Sequence, residues 1–236
     1  MVGKVLGQTV RFIREKWQTL AGAALAIGAL SELIGLLSQV LYFDKLDIDP
    51  LDQAADGAAR VDGGLFLWTM VSVLLGVVIT AVMLNLVAEA DRSGSPDINI
   101  AVSTTFARFF PLVGLMVVSG VAMTVGFILL FIPGIWIAVS LVPSMAIFFL
   151  ERRGPLASFK ESVRLVRGSW WSVFGIIVTV ALFNLVVGTL RFAPGAVGFL
   201  LGVVVSAITV VVQAAVVYYV FVELRGESTI DDVRTT

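Results

Sequence analysis

Neither cysteine nor histidine occurs among the 236 residues. The first absence excludes disulfides, thiolate metal sites and cysteine nucleophiles. The second removes imidazole ligation of zinc or haem and the commonest general acid–base. No cofactor and no metal site is expected. Charge is scarce as well: 14% of the residues are Asp, Glu, Lys or Arg, against ~25% in ordinary globular chains. What fills the space is apolar, 58% of all residues, with a mean hydropathy of +1.01. A soluble domain of this length could not hide that much apolar surface. Runs near the ~20 residues needed to cross a bilayer recur along the chain, which reads as a multi-pass membrane protein.

Six spans are expected, at roughly 19–43, 64–88, 110–131, 134–150, 170–192 and 195–222. The first apolar segment is long and follows a cationic stretch, so it reads as a retained span and not as a cleaved leader. FIPG separates spans three and four and FAPG separates five and six; Pro and Gly stop one helix and permit an immediate reversal. Thirteen of the sixteen Lys and Arg fall on one side of this arrangement, the exceptions being Lys45, Arg60 and Arg191. By the positive-inside rule both termini are cytoplasmic. The loop between spans one and two, with six Asp, then faces outward. Its Asp44, Asp47, Asp49 and Asp52 lack the glycine turn and terminal Glu of a calcium loop, so it reads as a solvated acidic loop.

Two motifs recur at one offset. Phe131-Ile-Pro133-Gly134 and Phe192-Ala-Pro194-Gly195 lie 61 residues apart, as do Phe110-Pro-Leu-Val-Gly114 and Trp171-Ser-Val-Phe-Gly175. The expected fold is therefore all-α: a polytopic six-transmembrane-helix bundle built from helical-hairpin pseudo-repeats, with amphipathic interfacial helices before the odd-numbered spans. Pseudo-repeats at about 3–91, 97–154 and 156–226 make up a single integral membrane domain, 1–226, followed by a flexible cytoplasmic tail, 227–236. They run parallel, unlike the inverted pairs of many secondary transporters.

Each pre-span segment carries an apolar stripe at helical period: Leu6, Val10, Ile13 and Trp17; Ile98, Val102, Phe106 and Phe109; Leu156, Phe159, Val163 and Val166. In the third, Lys160, Arg164 and Arg167 form a cationic stripe beside the apolar one. That pattern suits a helix lying in the interface, with its cations at anionic headgroups and Trp17, Trp170 and Trp171 at headgroup level. A nucleic-acid partner would need a solvated basic face, and this one borders a membrane-seeking stripe. A loop made basic only to set topology is the plainer alternative.

Within the spans, Glu32 stands out, since a carboxylate near the bilayer centre costs at least ~2.5 kcal/mol and must face protein or water. It shares a face with Gly28, Gly35 and Gln39. It reads either as a proton or cation site or as a hydrogen-bonded packing residue. Asn85, Asn184 and Gln213 are further intramembrane polar groups, favoured as bonds between helices. Gly198, Gly202 and Ser206 form a ridge of small residues suited to helix packing or self-association, and Pro143 is expected to kink span four. Glu89, Glu151 and Glu223 recur where even-numbered spans meet the cytoplasm. Each could pair with a nearby arginine or with the next interfacial helix.

The block from Phe131 to Gly175 resembles the membrane domain attached to some glycerophosphodiester phosphodiesterases, and the related YciC-like families of prokaryotic membrane proteins. The matching positions are Pro133, Gly134, Pro143, Glu151, Gly154, Leu165, Gly168 and Trp171. The resemblance implies a six-helix polytopic fold in a prokaryotic plasma membrane. It transfers no chemistry, because the phosphodiesterase site lies in a separate soluble barrel that this chain has no room for. The expected function is that of a non-enzymatic membrane protein, with the lipid bilayer, anionic headgroups and other membrane proteins as partners. A transporter or lipid-translocating protein using Glu32 and the intramembrane amides is the alternative.

Overall fold

The computed structural model describes residues 1–38, 63–94, 96–192 and 195–235; side chains at 38, 63–66, 131, 191–192 and 227–235 are left aside. The described chain is all-helical. In chain order the helices are α1 (Val2–Ser38), α2 (Gly63–Ser93), α3 (Ile98–Ala107), α4 (Phe109–Leu129), α5 (Phe131–Ser140), α6 (Ser144–Leu150), α7 (Pro155–Val166), α8 (Trp170–Gly188) and α9 (Gly195–Thr235). A short 3₁₀ turn, Thr189–Phe192, follows α8. Six stretches are long and apolar enough to cross a membrane: Val2–Leu37, Leu67–Ser93, Phe109–Leu129, Ile132–Leu150, Trp170–Gly188 and Gly195–Gly226. The protein is a multi-pass helical membrane protein.

Local chemistry explains the breaks. Asp97 caps α3 by accepting the N–H of Asn99 at 2.8 Å, which satisfies one of the donors a helix start leaves open. At the α4–α5 reversal Leu130 is fully extended. The two helices approach so closely there that a Cβ on Gly126 would lie 3.1 Å from the Gly134 Cα. Pro143 divides the fourth span into α5 and α6 and stands at the head of α6, where its missing N–H costs nothing.

Two boundaries differ from the sequence expectation. The first pre-span segment does not separate from its span: α1 runs unbroken through Trp17, because the residues between Lys16 and Ala26 include no proline and only one glycine. No distinct interfacial helix therefore precedes span one, in contrast to α3 before α4 and α7 before α8. At the other end α9 continues as helix to Thr235, over most of the segment read as a tail. Gly226 has the lowest helix propensity near that junction, a cost of ~1 kcal/mol that one position can absorb.

The core lies toward the end of the bundle that carries both termini. Buried side chains gather there: Val5, Phe12 and Leu20 on α1, Met83, Leu84, Leu86 and Val87 on α2, Phe148 on α6, Val166 on α7, and Val220 on α9. Leu33, Leu36, Ile128, Leu185 and Leu200, toward the opposite end, are exposed. The most extensive pairing joins α1 to α9. It includes Phe12 edge-on to Tyr219 at 5.9 Å, and Lys4 paired with Glu223 at 2.7 Å. Asp91 at the end of α2 accepts both tyrosine hydroxyls of α9, Tyr218 at 2.9 Å and Tyr219 at 2.8 Å. Three helices are thereby clamped at one level.

Candidate functional site

The three pre-span segments bury faces that only partly coincide with their apolar stripes. On α1 the inward residues are Val5, Thr9 and Phe12, while Val10 and Trp17 are exposed. On α3 they are Ala101 and Thr105, with Ile98 and Phe106 outside. On α7 they are Ser158, Glu161, Ser162, Leu165 and Val166, with Leu156 outside and Phe159 and Val163 half-buried. Of the twelve stripe residues Val10, Trp17, Ile98, Phe106 and Leu156 are exposed and Val166 is fully buried, while Leu6, Ile13, Val102 and Phe109 pack partly against the core. Without a hydrophobic force between helices in lipid, close packing and hydrogen bonds choose the interior face.

Glu161 is the centre of the α7 anchor. Its carboxylate is 8% exposed and takes two donors from Arg164, Nη2 to Oε1 at 2.8 Å and Nε to Oε2 at 3.1 Å. Arg225 of α9 reaches the same carboxylate through Nη1 at 2.8 Å. Arg225 also donates Nε to Glu151 at 2.6 Å, with its Nη2 against the same oxygen. Arg153 lies between the two acids, 2.7 Å from Glu151 and 3.7 Å from Glu161. Five charged side chains thus tie α7, the end of α6 and α9 together. The hydrogen bonds from Arg164 hold the Glu161 carboxyl below the usual carboxylate range against the opposing effect of burial, helped by the charges of Arg225, Arg164 and Arg153. Beneath the cluster Ser162 donates to the Ser140 carbonyl at 2.6 Å. Arg108 donates to the carbonyls of Phe148 and Arg153 and stacks 4.3 Å over the Phe148 ring. Burial, then the nearby Arg152, lowers the Arg108 pKa.

The expected collar residues divide between two roles. Arg164 is committed to Glu161, although its side chain is 72% exposed. Lys160 and Arg167 are exposed and form no ion pair with a described carboxylate. Trp171 is 78% exposed. Trp170 is half-buried, stacked on Phe174 at 5.2 Å and donating Nε1 to the Trp136 carbonyl at 3.3 Å. Trp17 borders an apolar groove of about 270 Å³ between α1 and α9, with Leu20, Leu25, Val204 and Ile208 among its walls.

Two of the four described intramembrane polar residues, Glu32 and Asn85, are hydrogen-bonded between helices. Glu32 accepts the Ser206 hydroxyl at 2.7 Å, and a Cβ on Gly202 would lie 2.7 Å from the Glu32 carboxylate. A Cβ on Gly28 would collide with the Val203 carbonyl and lie 2.9 Å from the Ala207 nitrogen, so α1 and α9 cross almost backbone to backbone. Gly198 is buried on α9 as well. Gly35, expected on that contact, is exposed with open space beside it: α1 has by then diverged from α9. Asn85 donates to the Thr105 hydroxyl at 3.1 Å and joins α2 to α3. Asn184 keeps a buried side-chain oxygen without a hydrogen-bond partner, and Gln213 is half-buried. Gln39 and the Asp-rich loop lie outside the described residues.

The recurrent glutamates use both options left open by the sequence. Glu89 accepts the Asp97 N–H at 3.2 Å, at the start of the next pre-span helix, and Glu223 pairs with Lys4 of the first. Glu151 pairs with its neighbour Arg153 and with the distant Arg225. The residue that sequence reasoning missed is Glu161. Its signal was present as an acid flanked by Lys160 and Arg164 in an otherwise basic segment. Comparison with protein-family models, with curated proteins and with solved structures gives no match. The class therefore rests on the fold: a multi-pass α-helical membrane protein with an ion-paired anchor under one surface helix.

Proposed function

We propose that this is a non-enzymatic protein of a prokaryotic plasma membrane that gathers anionic lipid at its cytoplasmic face, with both termini on that side. The reading extends to the YciC-like membrane-domain families, whose Pro-Gly turn and Leu-x-x-Gly-x-x-Trp segment the chain resembles. The observation that carries it is the division of labour on α7. Glu161 and Ser162 hold the helix to the bundle, while Leu156, Lys160 and Arg167 are exposed and Trp171 is exposed in the first turn of α8. An anchored helix that presents cations beside an apolar side chain, followed at once by an exposed indole on α8, has the chemistry of an interfacial headgroup collar. Each basic residue near an anionic surface contributes ~1 kcal/mol.

The test is lipid recovery in polymer-bounded nanodiscs drawn from mixed phosphatidylglycerol and phosphatidylcholine membranes. Discs around the wild type should be enriched in phosphatidylglycerol, and Lys160→Gln/Arg167→Gln should lower the enrichment. An unchanged lipid ratio in the double variant sinks the reading. Arg164 is not part of the test, because its replacement would also unpair Glu161.

A further inference from the structure

A second cationic feature lies away from the collar. Between α2, α3 and α6 is a cavity of about 270 Å³, some nine times the ~30 Å³ a water occupies in the liquid. Arg92, Arg152, Asn85 and Thr104 supply its polar wall, and Phe149 and Leu150 are part of its apolar one. The acid at its edge, Glu89, already accepts the Asp97 N–H. Neither arginine forms an ion pair with a described carboxylate, although Arg92 hydrogen-bonds the Tyr218 hydroxyl, and Arg152 stands close enough to Arg108 to disfavour that residue's charge. Two guanidinium groups thus border a cavity that holds positive charge in excess.

The backbone adds an independent observation. Arg152 has φ +53°, alone among the described non-glycine residues in being left-handed. It follows the last turn of α6 directly, the position that usually takes glycine because a Cβ there is strained. Gly154 lies two residues further on, so the chain places its glycine elsewhere and holds an arginine in the strained position. Strain of this kind persists where the side chain is needed.

We propose that this cavity recognises a phosphoryl group, with Arg92 and Arg152 as its cations and the Thr104 hydroxyl as a further donor. Guanidinium forks match phosphate oxygens in pairs, and the two cations at this cavity outnumber its one carboxylate, Glu89. The apolar wall at Phe149 and Leu150 suits the glycerol root of a phospholipid, although a free phosphate offers the same oxygens. The site shares no residue with the α7 collar, so it goes beyond the proposed function and the two readings fail separately.

Arg152→Gly is the decisive variant, because glycine relieves the left-handed backbone while removing the guanidinium. Full-length protein carrying Lys160→Gln and Arg167→Gln, so that the α7 collar does not contribute, would be titrated in detergent with phosphatidylglycerol and with diacylglycerol, which lacks the phosphoryl group, by native mass spectrometry. Inorganic phosphate would serve as competitor. With Arg152 in place the protein should bind phosphatidylglycerol about ten-fold more tightly than diacylglycerol or better. Arg152→Gly should lose that margin while melting no lower than its parent, and Arg152→Lys should recover part of it. Competition by millimolar inorganic phosphate would identify a free phosphate as sufficient; its absence would assign the site to the lipid headgroup. Equal binding of phosphatidylglycerol and diacylglycerol with Arg152 in place overturns the proposal. So does a phosphatidylglycerol preference that survives Arg152→Gly.

Discussion

Replacing Glu161 by glutamine keeps the side chain's shape and removes its charge. The carboxylate is 8% exposed and receives Arg164, 72% exposed, and Arg225, 27% exposed. A hydrogen bond to a charged group contributes ~1.5–3 kcal/mol when buried, but the Arg164 side of the pair is in solvent and counts for less than ~1 kcal/mol. Arg225 keeps Glu151 as a partner, so it is not left uncompensated. The expected cost of Glu161→Gln is therefore ~2–3 kcal/mol, and that of Arg164→Gln below ~1 kcal/mol. In thermal unfolding followed by tryptophan fluorescence in detergent, the first should lower Tm by roughly 4–12 °C.

The same group gives a pH dependence of known sign. The folded-state pKa of Glu161 is depressed, so its stabilisation is complete above the unfolded glutamate pKa of roughly 4.3. It is lost as pH falls from there through the lower folded value. Wild type should lose stability across that acid window, and Glu161→Gln should lose less. Arg164→Gln costing as much as Glu161→Gln, or parallel acid profiles for wild type and Glu161→Gln, would refute the assignment of Glu161 as the anchor of α7.

The α1–α9 crossing supplies two further expectations. Gly28→Ala drives a Cβ into the α9 backbone and should cost ~1–3 kcal/mol by overpacking, whereas Gly35→Ala meets open space and should stabilise by ~0.5–1 kcal/mol through helix propensity. Equal melting of Gly28→Ala and wild type would contradict the close approach. Glu32→Gln retains an oxygen for the Ser206 hydroxyl and should change stability by no more than ~0.5 kcal/mol, with ion and lipid flux in proteoliposomes unaltered. Altered flux at unchanged stability would instead assign Glu32 to a transport path.

Sequence patterning located the spans well, and for a plain reason. A segment must be apolar over its whole length to cross a bilayer, and that requirement acts on composition without reference to neighbours. The same holds for the break at Pro143 and the tight reversal at Phe131-Ile-Pro-Gly, both written in local backbone chemistry. The unbroken run of α1 past Trp17 was less visible, because amphipathic and wholly apolar stretches can share one axis when no breaker lies between them. Glu32 was read as a residue that must be satisfied, and its partner Ser206 lies 174 residues away. No local signal joins them.

By itself, then, the sequence determined that this protein is helical, crosses a membrane with six apolar segments and carries its cations unevenly. Only the tertiary structure decided which face of each pre-span helix goes inside. It turned Ser158, Glu161 and Ser162 of α7 inward and left Leu156, Lys160 and Arg167 at the surface. The physical reason lies in the solvent. In water an apolar stripe predicts burial, but in lipid apolar surface is satisfied on either side, so small contacts and paired polar groups choose the interior. Such pairs form between elements far apart in the chain, as Glu161 does with Arg225 and Asp91 with Tyr218 and Tyr219.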